Sequence, residues 1–286
     1  MFKISIRPRI NRQVRKILGI KNRQMIAYHR YALNIFRKKP SFIVIGAQKA
    51  GTTSLHSYLS QNPYLAPSIV KETNFFNMHY ERGLQYYKSL FPITFNHKIS
   101  YESTPSYLDH PIAPKLCHQF LPNVKLIVLL REPVSRAYSH FSFNQGYIKN
   151  EKKISFKEGL NLEEKRIKHA FEKLEYDFYD SAQLFSLYGY RRKGYYAIHI
   201  KNWLKYYKIH QFCFLEFQDF INDPNLCIKK ICDFVEIPFR PIKGTKVKNK
   251  TRYSIPIKKD TYENLKAHYK EYNESLFQLI GMRFDW

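Results

Sequence analysis

A glycine loop carrying one lysine and two threonines, residues 46–53, is the clearest chemical feature of the sequence. It reads G-A-Q-K-A-G-T-T and follows the apolar run Phe42 to Ile45, which is typical of a strand buried on both faces. The residues after it have helical spacing. A strand, a tight loop and a helix N-terminus bring backbone N–H groups and a helix dipole together. The loop therefore predicts an anion site, with an ordinary strand-to-helix turn as the alternative.

The order of this loop differs from that of a Walker A motif. Lys49 stands two residues before Gly51, whereas Walker A places Lys directly after its last Gly. A P-loop kinase or NTPase also needs an acidic residue ending a strand to hold Mg²⁺, but the best predicted strand, Val124 to Leu130, runs into Arg131. A kinase or NTPase stays open as an alternative, and we expect no metal.

Other polar residues follow further predicted strands or lie in the loops beyond them. Glu72 lies in KETNFF, Ser103 follows the short strand Ile99 to Glu102, and Ser139 lies on the helix after Arg131. Ligands of open parallel sheets bind beyond the carboxyl ends of the strands. We therefore expect these residues to converge on one cleft.

Each of these residues also has a simpler interpretation. Glu72 is a surface carboxylate if it only pairs with Lys71, and Arg131 is a structural cap if it pairs with Glu132. Ser139 would then be an ordinary helix surface residue.

Alternating strands and helices predict one α/β domain with a central parallel sheet over residues 41–286. The connection from Gln61 to Pro67 is interpreted as a loop. Residues 1–40 form a basic N-terminal extension without any acidic residue. It is either an arm that contacts an anionic membrane or partner, or a solvated extension.

The chain of 286 residues has a formal net charge of +25, which implies polyanionic partners. A basic module that binds nucleic acid or membrane is therefore another alternative. Most aromatic residues have core-like spacing, so we do not expect nucleic acid as the main partner. The sequence lacks a bilayer-length apolar run and a secretory signal pattern, and we expect a cytoplasmic location.

Several motifs, in this order, resemble the sulfotransferase family, in particular its heparan-sulfate-type branch. They are IGAQKAGTTSL, KETNFF, YESTPSYL, VLLREPVSRAYSHF, the Gly194-Tyr195 helix with Trp203, NKTR and FQLIGMRFDW. The resemblance implies a three-layer, P-loop-NTPase-like fold with helices flanking the sheet. It also implies transfer of a sulfuryl group from 3′-phosphoadenosine 5′-phosphosulfate (PAPS) to a hydroxyl or amine.

The resemblance also assigns cofactor contacts. The 5′-phosphosulfate would be held by the glycine loop: Gln48, Lys49, Ala50, Gly51, Thr52 and Thr53. The 3′-phosphate would be held by Arg131 and Ser139, and a loop closing over the cofactor would contain Lys250, Thr251 and Arg252. Tyr195 is a further cofactor candidate, although Tyr195 and Trp203 fit the core better than an adenine platform.

Glu72 matches the catalytic base of this family, and Lys49 suits the leaving oxygen because it is a compact charge on a flexible stem. Asn74 and Ser103 are acceptor candidates by position alone. The heparan-sulfate enzymes usually carry Lys where this chain has Ser103. They also carry cysteines flanking the closing loop and a membrane anchor, and we find neither feature in this sequence. We therefore expect a bacterial-type cytoplasmic enzyme acting on a carbohydrate or glycoconjugate, not necessarily heparan sulfate.

Overall fold

The predicted strand, loop and helix around the glycine loop are present. The computed structural model describes residues 30–31, 33–93, 98–174, 177–244 and 257–286. Strand β1 spans Phe42–Gly46 and helix α1 spans Thr52–Leu59, with the glycine loop between them. All five β1 residues are buried, as expected for a strand covered on both faces.

The described residues form one sheet of five parallel strands in the order β2-β3-β1-β4-β5. The other four strands are β2 (Leu65–Pro67), β3 (Ile99–Ser103), β4 (Lys125–Leu130) and β5 (Phe212–Glu216). The predicted central parallel sheet is confirmed. The loop predicted from Gln61 to Pro67 is wrong in part, because it contains strand β2. Three residues ending in proline give little strand signal, and proline is tolerated only at a sheet edge.

Helices connect and flank the strands. In the first half of the chain they are α2 (Phe75–Met78), α3 (Gly83–Ser89), α4 (Ala113–Phe120) and α5 (Pro133–Tyr147). In the second half they are α6 (Phe156–Lys173), α7 (Phe178–Tyr188), α8 (Tyr196–Leu204), α9 (Phe217–Asn222), α10 (Pro224–Phe234) and α11 (Lys259–Ile280). The last helix ends at Gly281 in the left-handed conformation, with φ of 65°, as its C-cap position requires.

The core lies on the sheet and includes Trp203 of α8, which is completely buried. Its indole Nε1 donates to the carbonyl oxygen of Leu108 at 3.1 Å, which satisfies the polar end of a large apolar ring. Trp203 is therefore a core residue, in agreement with the simpler of its two interpretations.

The basic N-terminal extension is described only from its end onward. Arg30 Nη2 and Arg37 Nη1 both donate to the carbonyl oxygen of Phe91 at 2.6 Å, just beyond the end of α3. Residues 1–29 lie outside the described part, so the membrane-contact interpretation stays a prediction. Among the described helices, none has the length and apolarity to cross a bilayer.

Gly46, the last residue of β1, packs against the turn that follows β3, where there is no space for a side chain. A Cβ at Gly46 would lie 2.6 Å from Leu108 Cβ. We expect Gly46→Ala to lower the free energy of unfolding by about 1–3 kcal/mol, because overpacking forces neighbouring atoms to shift. Urea denaturation measures this change.

Gly146 in α5 provides the matched control, since among the described residues no atom beyond its chain neighbours and its own helix backbone lies within 4 Å of its added Cβ. Gly146→Ala should be neutral or stabilising by about 0.5–1 kcal/mol, because alanine is the better helix former. Equal effects of the two substitutions would contradict the packing argument.

Candidate active site

The loop after β1 forms an uncapped helix N-terminus. Gly51 is the N-cap of α1 and has φ of 88°, and none of the described side chains forms a capping hydrogen bond with α1. The first N–H groups of a helix have no intrahelical partners, so those at Thr52 and Thr53 are available to an anion. An added Cβ at Gly51 would lie 3.0 Å from the Phe217 ring. Glycine is therefore required for both conformation and space.

Lys49 lies in this loop and is joined to the end of β4. Its carbonyl oxygen accepts a hydrogen bond from Arg131 Nη1 at 3.1 Å. Its ammonium Nζ lies 3.9 Å from the centroid of the Phe143 ring, and the Arg131 guanidinium lies 4.6 Å from the centroid of the Phe217 ring. The structure therefore brings together the two cations that the sequence assigned to the two ends of the donor.

Two cations and one carboxylate act on the Lys49 ammonium. The pKa of Lys49 is lowered to about 8, mainly by burial and also by the cations of Arg131 and Arg136, against the opposing charge of Glu72. Nearby cations disfavour a protonated lysine unless an anion offsets them. The electrostatics of the site therefore suit an anionic ligand.

Helix α5 carries Arg136, whose charge acts on Lys49, and Ser139. Its N-terminus is capped by Glu132, whose carboxylate accepts from the N–H groups of Val134 at 2.9 Å and Ser135 at 2.6 Å. Arg136 is completely buried, and its Nε and Nη1 atoms have no hydrogen-bond partner among the described residues. Ser139 is 2% exposed. Glu132 thus has a capping role of its own, and Arg136 adds a cation to which the sequence analysis gave no role.

Glu72 lies in a tight loop at the end of β3. Its N–H donates to the carbonyl oxygen of Ser103 at 3.0 Å, and its φ is 62°. Its carboxylate pairs with the Lys71 ammonium and its side chain is 48% exposed. The pairing with Lys71 considered from the sequence is therefore present. Because the Glu72 charge also acts on Lys49, this pairing does not remove Glu72 from the site.

The two acceptor candidates flank this loop. Asn74 has φ of 50°, donates from Nδ2 to the Glu72 carbonyl oxygen at 3.2 Å, and accepts from Ser106 Oγ at 3.3 Å. Ser103 is completely buried, and its Oγ has no hydrogen-bond partner in the described ranges. Both residues are close to Glu72, since Ser103 accepts from its N–H and Asn74 donates to its carbonyl oxygen.

Two other cofactor candidates, Gln48 and Tyr195, form hydrogen bonds with α7 and α11. Gln48 Nε2 donates to Ser186 Oγ on α7 at 3.5 Å. Tyr195 faces α11, where its hydroxyl is 2.8 Å from His268 Nε2. Its neighbour Tyr196 donates instead to the Arg131 carbonyl oxygen at 2.8 Å.

The structure thus separates Tyr195 from Arg131 and brings Tyr196 to it. Two adjacent tyrosines on one helix turn give no sequence signal for choosing between them. Lys250, Thr251 and Arg252 lie outside the described residues.

Phe143 and Phe217, the aromatic partners of Lys49 and Arg131, were also missed by the sequence analysis. Phe143 follows Ser139 on α5, and Phe217 begins the helix after β5. Their contacts with the cations depend on how the helices pack, and no local motif indicates them.

Within the described part of the chain there is no cluster of three or more His, Cys, Asp or Glu that could hold a metal ion.

Comparison with known proteins assigns the class. The sulfotransferase domain family model matches residues 39–282, so the chain belongs to the sulfotransferase domain family. The predicted recognition of that family is confirmed, and with it the PAPS-dependent sulfotransferase class of enzyme.

Individual relatives agree with this class. Heparan sulfate glucosamine 3-O-sulfotransferase 6 of Mus musculus is 27% identical over 276 residues, covering 87% of this chain and 74% of the relative. The membrane-associated sulfotransferase kil1 of Dictyostelium discoideum is 26% identical over 314 residues, covering 86% and 66% respectively.

A solved sulfotransferase from Alicyclobacillus acidocaldarius has the same architecture, with a TM-score of 0.71 and 26% identity. The match covers 86% of this chain and 98% of that structure. The three-layer, P-loop-NTPase-like fold predicted from the resemblance is therefore confirmed.

The pKa of Lys49 leads to a pH dependence of anion binding. Affinity for adenosine 3′,5′-bisphosphate should fall as the pH rises through about 8, by up to about tenfold per pH unit, because binding then requires uptake of a proton. Isothermal titration calorimetry between pH 7 and pH 9.5 measures this dependence.

Lys49→Arg is the matched variant, since a guanidinium stays charged throughout this range. Its affinity should change little with pH. The same fall in the variant would show that another group carries the dependence.

Proposed function

We propose that this protein transfers a sulfuryl group from PAPS to a hydroxyl or amine of a carbohydrate or glycoconjugate, with Glu72 as the general base. One observation carries the proposal: the cations Lys49 and Arg131 and the carboxylate Glu72 meet at an uncapped helix N-terminus. The family membership supplies the donor, and the geometry supports the roles of the individual residues.

The residues present fit a donor that is anionic at both ends. The α1 N-terminus with Lys49 would hold the 5′-phosphosulfate through N–H groups and the hydroxyls of Thr52 and Thr53. Arg131 and Ser139 would hold the 3′-phosphate, since a guanidinium binds phosphate oxygens bidentately. The unpartnered nitrogens of Arg136 and the lowered pKa of Lys49 support this fit, because an anion would relieve both.

Sulfuryl transfer resembles phosphoryl transfer, in which charge develops on the leaving oxygen and fixed positive charge is the main catalytic means. PAPS would supply the activated sulfuryl group. The Lys49 ammonium would stabilise the negative charge that appears as the donor's bridging oxygen departs. Glu72 would accept the proton of the acceptor at its carboxylate, and the exposed side of that carboxylate lets an acceptor approach from solvent.

The carbohydrate acceptor is proposed from the names of the relatives and from charge. Relatives are heparan sulfate glucosamine 3-O-sulfotransferases, and the net charge of +25 suits an acidic saccharide. Ser103 stands where the heparan-sulfate branch usually has lysine. The acceptor contacts of this chain are therefore proposed to differ from those of that branch.

The first test concerns the donor site. Adenosine 3′,5′-bisphosphate at about 100 times its Kd should stabilise the protein by roughly 2.7 kcal/mol, whereas AMP should stabilise it less. Lys49→Ala and Arg131→Ala should weaken this thermal shift. Preference for ATP–Mg²⁺ would contradict the proposal and favour a kinase or NTPase.

The second test concerns the base. Glu72→Gln should lower kcat for sulfation of de-O-sulfated heparin by about 10²–10⁴-fold, since the amide cannot accept the proton, and should leave the thermal shift with adenosine 3′,5′-bisphosphate in place. Transfer of ³⁵S from labelled PAPS to the polysaccharide measures kcat.

Lys71→Met is the control for the neighbouring ion pair. It removes the partner of Glu72 but keeps the carboxylate, so activity should fall far less than in Glu72→Gln. If Glu72→Gln retains wild-type kcat, another group is the base. A neutral disaccharide in place of the polysaccharide tests whether charge selects the acceptor.

A further inference from the structure

Glu102, the residue before Ser103 in β3, is a completely buried carboxylate surrounded by hydroxyl groups. Tyr87 donates to its Oε1 at 2.6 Å, and Thr104 donates to its Oε2 at 3.1 Å. Thr73 also donates to Oε2. In the described part of the chain no Lys or Arg forms an ion pair with it. A buried carboxylate without a cation is costly, so its presence at this position points to a role beyond packing.

Thr73 connects Glu102 to the proposed base. It lies between Glu72 and Asn74, whose φ angles of 62° and 50° are in the left-handed region. Such backbone persists for residues other than glycine only where surrounding contacts hold it. Thr73 is 4% exposed, so it is the buried anchor between two strained neighbours that face the site.

The carboxylate determines which group donates in the hydrogen bonds that link it to Thr73 and Tyr107. Above a pH of about 7, where Glu102 is ionised, its carboxylate only accepts, so the Thr73 hydroxyl donates to Glu102. In the 3.0 Å hydrogen bond between the Tyr107 hydroxyl and Thr73 Oγ1, Tyr107 is then the donor. Tyr107 in turn accepts from the N–H groups of Phe75 at 2.8 Å and Phe76 at 3.3 Å. One chain of hydrogen bonds therefore runs from the start of α2 to Glu102.

We propose that Glu102 is a positioning residue for sulfuryl transfer: through Thr73 and Tyr107 it holds the loop at residues 71–76, so that the Glu72 carboxylate faces Lys49. This inference rests on the proposed role of Glu72 as base. Glu102 acts only through its neighbours, because it is buried behind the loop and its carboxylate oxygens are occupied by the three hydroxyls.

Thr73→Val tests this link, because valine keeps the shape of threonine and removes the hydroxyl. We expect kcat with de-O-sulfated heparin to fall by roughly 10–100-fold, since small displacements of a reacting group have effects of this size. KM for PAPS and Kd for adenosine 3′,5′-bisphosphate should stay within about twofold, because the donor contacts are elsewhere. Thr73→Ser keeps the hydroxyl and should restore most of kcat.

Hydrogen exchange provides a readout that does not depend on activity. The amides of Phe75 and Phe76 should exchange faster in Thr73→Val than in the wild type or Thr73→Ser. Wild-type kcat together with wild-type exchange in Thr73→Val would overturn the positioning role. The proposed function would instead be overturned if the amides exchange more slowly in the wild type than in Thr73→Val but the wild type transfers no sulfuryl group. The two failures are therefore distinguishable.

Glu102→Gln separates positioning from stability. Burial raises the pKa of Glu102 from 4.5 to about 7, so its contribution to stability is present below 4.5 and is lost as the pH rises through about 7. At pH 8 the glutamine variant should therefore unfold at the same temperature as wild type or higher. Its kcat should still fall, because the amide NH₂ forces one hydroxyl to reverse. A lower melting temperature with unchanged kcat would mean that Glu102 is only structural.

Discussion

A concentration of positive charge at the carboxyl edge of the sheet is the constraint on which the candidate site depends. Lys49, Arg131 and Arg136 lie close enough for the two arginines to lower the pKa of the lysine. Mutual repulsion would push these side chains apart if they were on flexible segments. They are held instead by rigid elements, since Arg131 follows β4 and Arg136 is buried in α5.

The backbone also helps to hold these cations in place. The Lys49 carbonyl accepts from Arg131, which satisfies part of a guanidinium while leaving the Lys49 ammonium over the Phe143 ring. An aromatic face attracts a cation but is a weaker partner than an anion. A backbone carbonyl and an aromatic ring, both neutral, thus contact these cations, which suits a protein that would bind a doubly phosphorylated donor.

The carboxylate side of the site is organised differently. Glu72 is half-exposed in a loop with left-handed backbone at two positions, while Glu102 behind it is completely buried. An exposed carboxylate stays hydrated and accessible to an acceptor, whereas a buried one gives hydrogen bonds of fixed direction. The two neighbouring acids are thus distinguished by their environments.

The sequence by itself determined the main strands and helices, and it indicated that the polar candidates meet at the carboxyl edge of the sheet. The apolar runs Phe42 to Ile45 and Val124 to Leu130 indicated buried strands because β-branched and aliphatic residues without alternation fit a two-sided sheet. Local order also determined the anion loop, since the glycines and Lys49 are contiguous. These signals are short-range, so no tertiary information was needed to read them.

The tertiary structure alone decided which side chains meet. The packing of α5 and α9 set Phe143 against Lys49 and Phe217 against Arg131, and the rotation of α8 chose Tyr196 over Tyr195 as the neighbour of Arg131. Strand β2 and the hydroxyl network around Glu102 likewise join residues distant in the chain. Such contacts depend on helix rotation and strand register, which side-chain types along one segment do not encode.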